Sequence, residues 1–259
     1  MSEPVLVARS GVIATVTLNN PDKLNALNKP MWEKLGAAMC ELSADDGLRC
    51  VILRGAGDKA FAAGADISEF ARERSDSRQA KHYGALIHKT MQSIAQCLHP
   101  VIAMIKGACV GGGLEIAAMC DLRICGEASR FGVPIKSLGL TMGYGELQGV
   151  LGLVGRAVTS EILLEGRVFD AAEALQKRLV NRVVRDADVE RETYALAERI
   201  AAGAPLVARW HKQFIDRLSV TPRISAAEWN EGFACFDTED YRIGVRAFLQ
   251  KTKPQFKGK

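Results

Sequence analysis

The stretch Gly107-Ala108-Cys109-Val110-Gly111-Gly112-Gly113-Leu114-Glu115 decides the reading of this chain. It follows Val101–Ile105, a short β-branched run behind Pro100, and it leads into an apolar helix containing Leu114, Ile116, Ala117 and Ala118. A strand, a glycine-bearing turn and a helix start leave backbone N–H groups without partners, and these can point at an anion or a developing negative charge. A second stretch of the same kind, Phe61-Ala62-Ala63-Gly64-Ala65-Asp66-Ile67, follows the buried run Cys50–Leu53. Two such turns face to face would offer two donors to one oxygen, the arrangement of an oxyanion hole. Glu115 lies in the first turn of its helix among apolar neighbours. Read as a cap, it serves the helix dipole. Read as a proton-transfer group, it gains a raised pKa from its dry setting.

Outward from these turns, the first half of the chain alternates short strands with helices. Val5–Ala8 and Val12–Leu18 read as a hairpin around Ser10-Gly11, and Asn19-Asn20-Pro21-Asp22 ends it. Asn28 with Pro30 opens a helix in which Trp32, Leu35, Met39 and Leu42 recur at helical spacing. A long helix from about Ser75 carries Ile87, Met91, Ile94 and Leu98 and stops at Pro100. Leu122–Cys125 is a further strand. Beyond Gly145 the pattern is mostly helical, with helices over Ala171–Lys177, Asp188–Ala202, Pro205–Leu218 and Ser225–Phe236, and one strand over Val180–Val184. An α/β core of recurring strand-strand-helix units followed by a helical C-terminal part is the expected fold.

Composition narrows the function. The chain has 259 residues, 34 basic and 30 acidic, and its excess of four is matched by Lys251, Lys253, Lys257 and Lys259 at the C-terminus. The body is neutral, which argues against a general nucleic-acid surface. Seven cysteines without a C-x-x-C pair read as reduced thiols in a cytoplasmic setting. No leader is evident at the N-terminus, the apolar runs are too short to span a bilayer, and no metal motif occurs. The dinucleotide fingerprint fails, because Gly111-x-Gly113-x-x-Ile116 puts a bulky Ile where close helix packing needs Gly or Ala. No Gly-x-Ser-x-Gly elbow is present either.

The ordered segments Asn25-Ala26-Leu27, Phe61 to Ile67, Pro100 to Ala103, Gly107 to Glu115, Cys120-Asp121, Phe131-Gly132-x-Pro134, Leu138-Gly139, Gly166-Arg167 and Ala247-Phe248-Leu249-x-Lys251 resemble the crotonase superfamily, the enoyl-CoA hydratase/isomerase family. The resemblance covers nearly the whole chain. It implies a spiral of ββα units over residues 1–195, with residues 196–259 forming a helical region that builds homotrimers or dimers of trimers. It implies an acyl-CoA thioester as substrate and no cofactor beyond the CoA moiety. The thioester oxygen would be held by the amides of Ala65 and Gly112, with Glu115 transferring the proton. Lys23, Leu24, Ala63, Asp66 and Ile67 match positions lining the CoA channel, and Lys251 one that reaches a neighbouring subunit's CoA. Arg72–Gln79 falls where the pocket wall is expected.

One departure bears on the chemistry. The family's hydratases carry a second glutamate directly after the Phe-Gly-x-Pro segment, and here that place is Ile135. An isoleucine neither donates nor accepts a proton. Two arrangements remain open. Glu146, with Tyr144 beside it, could supply the second carboxylate and preserve hydration. Alternatively Glu115 works alone, and the reaction is an isomerisation or decarboxylation. Outside catalysis, a crotonase-like scaffold binding CoA thioesters, RNA or protein is the competing class.

Overall fold

The computed structural model describes residues 3–259. The strands are β1 (Val5–Ser10), β2 (Ile13–Leu18), β3 (Cys50–Gly55), β4 (Ala60–Ala62), β5 (Val101–Ile105), β6 (Ala108–Val110), β7 (Leu122–Gly126), β8 (Arg130–Gly132), β9 (Phe169–Asp170) and β10 (Arg182–Val184). The helices are α1 (Lys29–Ser43), α2 (Phe70–Glu73), α3 (Ser77–Ala95), α4 (Gly112–Met119), α5 (Tyr144–Glu165), α6 (Ala171–Gln176), α7 (Val189–Ala201), α8 (Pro205–Val220), α9 (Ala226–Glu231) and α10 (Glu239–Gln250).

Successive units place their first strand in one sheet and their second in another. The larger sheet has the order β1-β2-β3-β5-β7-β10, parallel except for the β1–β2 hairpin. The smaller sheet runs β4-β6-β8-β9, parallel except at β9. This is the ββα spiral expected from the sequence. The strands of the smaller sheet were not legible beforehand, since two or three residues carry no periodicity. Gly107, which read as part of one long turn, instead bends the chain from β5 into β6 at φ +63°. A side chain there would strike the Lys59 carbonyl.

The central strands are buried on both faces, and their residues alternate between two cores. Val51, Leu53, Val101, Ala103 and Ile105 face the layer of α1 and α3. Cys50, Ile52, Ile102 and Met104 face Val189, Ala197 and Ala201 of α7. The junction expected after residue 195 therefore falls inside α7, a helix that covers the large sheet. α1 starts where Asn28 Oδ1 accepts the Met31 N–H at 3.0 Å, and it buries Met31, Trp32, Leu35, Met39 and Leu42. Thr90 of α3 donates to the Trp32 carbonyl at 2.9 Å.

Two helical expectations needed correction. Ser225–Phe236 is not one helix: α9 ends at Gly232, and a 3₁₀ turn over Ala234–Asp237 follows. The region after Gly145 holds a 22-residue helix, α5, long and apolar enough by composition to cross a membrane. Gly155, at φ 72° and ψ 174°, breaks it into two arms. The longer arm, Tyr144–Val154, spans about 17 Å against the roughly 30 Å of a bilayer core. Val150, Thr159 and Ile162 pack into the protein.

Candidate active site

The two glycine turns meet. Leu27 accepts the Asp66 N–H at 2.9 Å and donates to the Gly64 carbonyl at 2.8 Å, forming a parallel bridge opposite Ala65. Both flanking residues are thus tied to Leu27, and the Ala65 N–H points away from it. Asn25, buried at φ 55°, fixes this segment by donating to the carbonyls of Ala60 (2.8 Å) and Ala56 (3.0 Å). Across from it, Gly111 turns at φ 53° and starts α4, whose first turn has no side-chain cap. A β-carbon on Gly111 would lie 3.5 Å from the Gly64 Cα, and one on Gly64 would lie 3.9 Å from the Gly112 nitrogen. No hydrogen bond among the described residues uses the N–H of Ala65 or of Gly112. Two main-chain donors from separate turns are therefore free beside one another.

Both open on a cavity of about 190 Å³. Its walls include Trp32, Ala63, Phe70, Arg74, Ile87 and Ile135, together with Glu115 and Glu146. The Glu115 carboxyl reaches back toward Gly112, with Oε2 3.9 Å from where a β-carbon on that glycine would sit. Burial pushes the Glu115 carboxyl up to about 7, the negative charge of Glu146 adds to the shift, and Arg74 opposes it. Glu146 occupies the first turn of α5, where free N–H dipoles favour an acid. Its carboxylate folds over Gly143, where a β-carbon would have no room. Neither glutamate side chain has an ion-pair partner among the described residues.

The remaining sequence candidates divide. Ala63 and Ile67 line the cavity, and Ile67 is 56% exposed at its edge. Lys23, Leu24 and Asp66 do not line it. Lys23 and Asp66 instead pair with each other at 2.7 Å, and Asp66 also accepts from the Ser68 N–H and hydroxyl. Lys251 is exposed, in a left-handed conformation at the end of α10, away from the cavity walls of its own chain. Tyr144 points outward, 93% exposed, and takes no part in the cavity. Of Arg72–Gln79, only Arg74 reaches it. The motif Cys120-Asp121 proves structural: the Asp121 carboxylate accepts from the Val101 N–H (2.6 Å) and from Lys212 of α8 (2.9 Å). Sequence reasoning missed Trp32, Phe70, Thr141 and Met142, because spacing marks a buried face but not which part of it borders a void.

A ββα spiral whose two turns present free amides beside a desolvated carboxyl carries the donor set with which enzymes stabilise a developing oxyanion. Residues 8–259 match the family model described as enoyl-CoA hydratase/isomerase. The chain belongs to that family. It is 36% identical over 251 residues to the short-chain-enoyl-CoA hydratase of Clostridium acetobutylicum, covering 96% of this chain and 95% of the relative. It is 34% identical to the crotonyl-CoA hydratase of Syntrophomonas wolfei over 98% of both chains. Among solved structures, one described as an enoyl-CoA hydratase/carnithine racemase from Magnetospirillum magneticum superposes with a TM-score of 0.98 at 50% identity, covering 100% of this chain and 97% of the other. A putative family member from Hyphomonas neptunium gives 0.95 at 34% identity, covering 99% and 98%.

Proposed function

We propose that the protein adds water across the C2=C3 bond of a 2-enoyl-CoA thioester, with Glu115 and Glu146 as the acid-base pair. The observation that carries this reading is that both carboxyls border the cavity onto which the free amides of Ala65 and Gly112 open. The thioester oxygen accepts from the two amides. Water bonds to C3 as its proton passes to the Glu146 carboxylate, and the C2=C3 electron pair moves into the enolate. The enolate then collapses and takes the Glu115 proton at C2, after which Glu146 returns its proton to Glu115 through solvent. Each fixed donor on the developing oxyanion is worth about 3 kcal/mol. Glu115, held near neutrality, suits a proton donor at physiological pH.

Loss of crotonyl-CoA absorbance tests this directly. Hydration that disappears in Glu115→Gln and falls at least a hundredfold in Glu146→Gln supports the pair. Full hydration by Glu146→Gln would remove Glu146 from the mechanism. Ile135 on the cavity wall favours a second reading, isomerisation by Glu115 alone, whose signature is conversion of a 3-enoyl thioester without net water addition. Binding of CoA thioesters with no turnover of either substrate would favour the scaffold class.

CoA itself is assigned to the mouth of the cavity, its pantetheine along Leu24, Ala63 and Ile67 and its phosphates near Lys23, with Asp66 orienting that lysine. Lys251 would reach the phosphates of a neighbouring copy. A homotrimer, or a pair of them, is supported by the exposed apolar residues of the C-terminal region, among them Ile215, Trp229, Phe233, Phe248 and Leu249. Some border a groove of about 510 Å³ between α8 and α9. A monomer mass in light scattering at micromolar concentration would overturn this assignment.

A further inference from the structure

Arg74 is the single Lys or Arg among the cavity-lining residues. It follows α2, its backbone N–H bonded to the Phe70 carbonyl at 2.9 Å. Its guanidinium carbon lies 4.0 Å from the centroid of the Tyr83 ring and 4.9 Å from that of Phe70. Stacked on two rings, the guanidinium is held in place before any ligand arrives. The neighbouring Arg72 pairs with Glu69 and Glu73, whereas no ion pair engages Arg74 among the described residues. A half-buried cation with no ion-pair partner is costly, and an anionic ligand in contact with it relieves that cost. Glu115 and Glu146 border the same cavity, but neither comes within ion-pair distance of Arg74. Phe70, Ile87, Leu140 and Met142 give the same cavity apolar walls suited to a short chain.

We propose that Arg74 binds a carboxylate at the far end of the acyl chain, so that the preferred substrate is the CoA monothioester of a short unsaturated dicarboxylic acid. This rests on the acyl-CoA reading above. Arg74 belongs to the acyl end of the site, because it lines the cavity together with Glu115, Ile87 and Met142, whereas Lys23 lies outside the cavity walls, paired with Asp66. A guanidinium can hold a carboxylate through two parallel N–H donors, which a lysine cannot reproduce.

Calorimetric titration of the full chain with glutaryl-CoA, butanoyl-CoA and free CoA tests the assignment without requiring turnover. The expected result is at least tenfold tighter binding of glutaryl-CoA than of butanoyl-CoA, a preference largely lost in Arg74→Gln and partly kept in Arg74→Lys. Equal affinity of the wild type for the two thioesters, or equal weakening of all three ligands in Arg74→Gln, would overturn it. If Arg74→Gln fails to melt cooperatively, the wild-type ratio and the lysine variant decide. Hydration of crotonyl-CoA and glutaconyl-CoA is measured alongside. Preference for glutaryl-CoA without hydration of either substrate sinks the hydratase reading alone. Hydration without that preference sinks the Arg74 assignment alone, and failure of every CoA ligand to bind sinks both.

Discussion

Glu115 in the first turn of α4 and Glu146 in the first turn of α5 border the same cavity, and the charge of Glu146 helps to hold the Glu115 carboxyl up near 7. Under the hydration proposed above, helix α4 would supply one acid together with one oxyanion donor, Gly112, and the first turn of helix α5 would supply the other acid in place of the side chain that Ile135 lacks.

The pH dependence follows from that coupling. Proton donation to C2 needs neutral Glu115, so kcat/KM for hydration is expected to fall roughly tenfold per unit above about pH 7. Glu115→Gln removes the limb together with the activity, by about 10²–10⁴-fold. A pH profile whose alkaline limb lies above pH 9 would contradict this assignment of roles.

Replacing the second acid tests the coupling separately. Removing the charge of Glu146 makes ionisation of Glu115 easier, so in Glu146→Gln the residual activity is expected to lose its alkaline limb at a lower pH than in the wild type. An unmoved limb would show that the two carboxyls do not sense each other.

Stability carries the same signature. Glu115 binds its proton more tightly folded than unfolded, so its contribution to stability is full below about pH 4.5 and is lost as pH rises through 7. Glu115→Gln is therefore expected to match the wild type near pH 4 and to exceed it at pH 8 by on the order of 3 kcal/mol. Urea unfolding at the two pH values measures the difference.

The proposed oxyanion role of Gly112 can be tested without touching a side chain that moves protons. Gly112 is the first residue of α4, a position where proline suits a helix and merely deletes an N–H. Gly112→Pro is expected to keep its fold by circular dichroism, with Leu27 shifting to make room, and to lose 10²–10³ in kcat. Near-wild-type turnover would mean that this amide does not hold the thioester.

Asn25 offers a structural counterpart. Its side chain donates to two backbone carbonyls, accepts the Asn20 N–H at 3.0 Å, and sits at positive φ. Asn25→Ala is expected to cost about 2–4 kcal/mol in urea unfolding, since it orphans buried groups and removes the polar side chain that lets asparagine tolerate the left-handed region. Loss of activity should follow at lower denaturant than global unfolding, because this residue braces the Ala65 turn.

Local pattern made α1, α3, the α/β alternation, the two glycine turns and Glu115 legible, but not α5, the longest helix. These follow from near-neighbour physics, periodic burial in α1 and α3 and glycines where φ turns positive, although α3 ends at Ala95, ahead of the stop expected at Pro100, and leaves Leu98 outside it. Packing between distant segments sets that Gly64 and Gly111 touch, that Tyr144 faces solvent while Glu146 turns inward, that Lys23 pairs with Asp66, and that Arg74 enters the cavity. Position along a helix turn fixes a side chain's direction relative to its own axis. Which void that direction meets depends on how elements far apart in the chain are packed, and no local pattern encodes it.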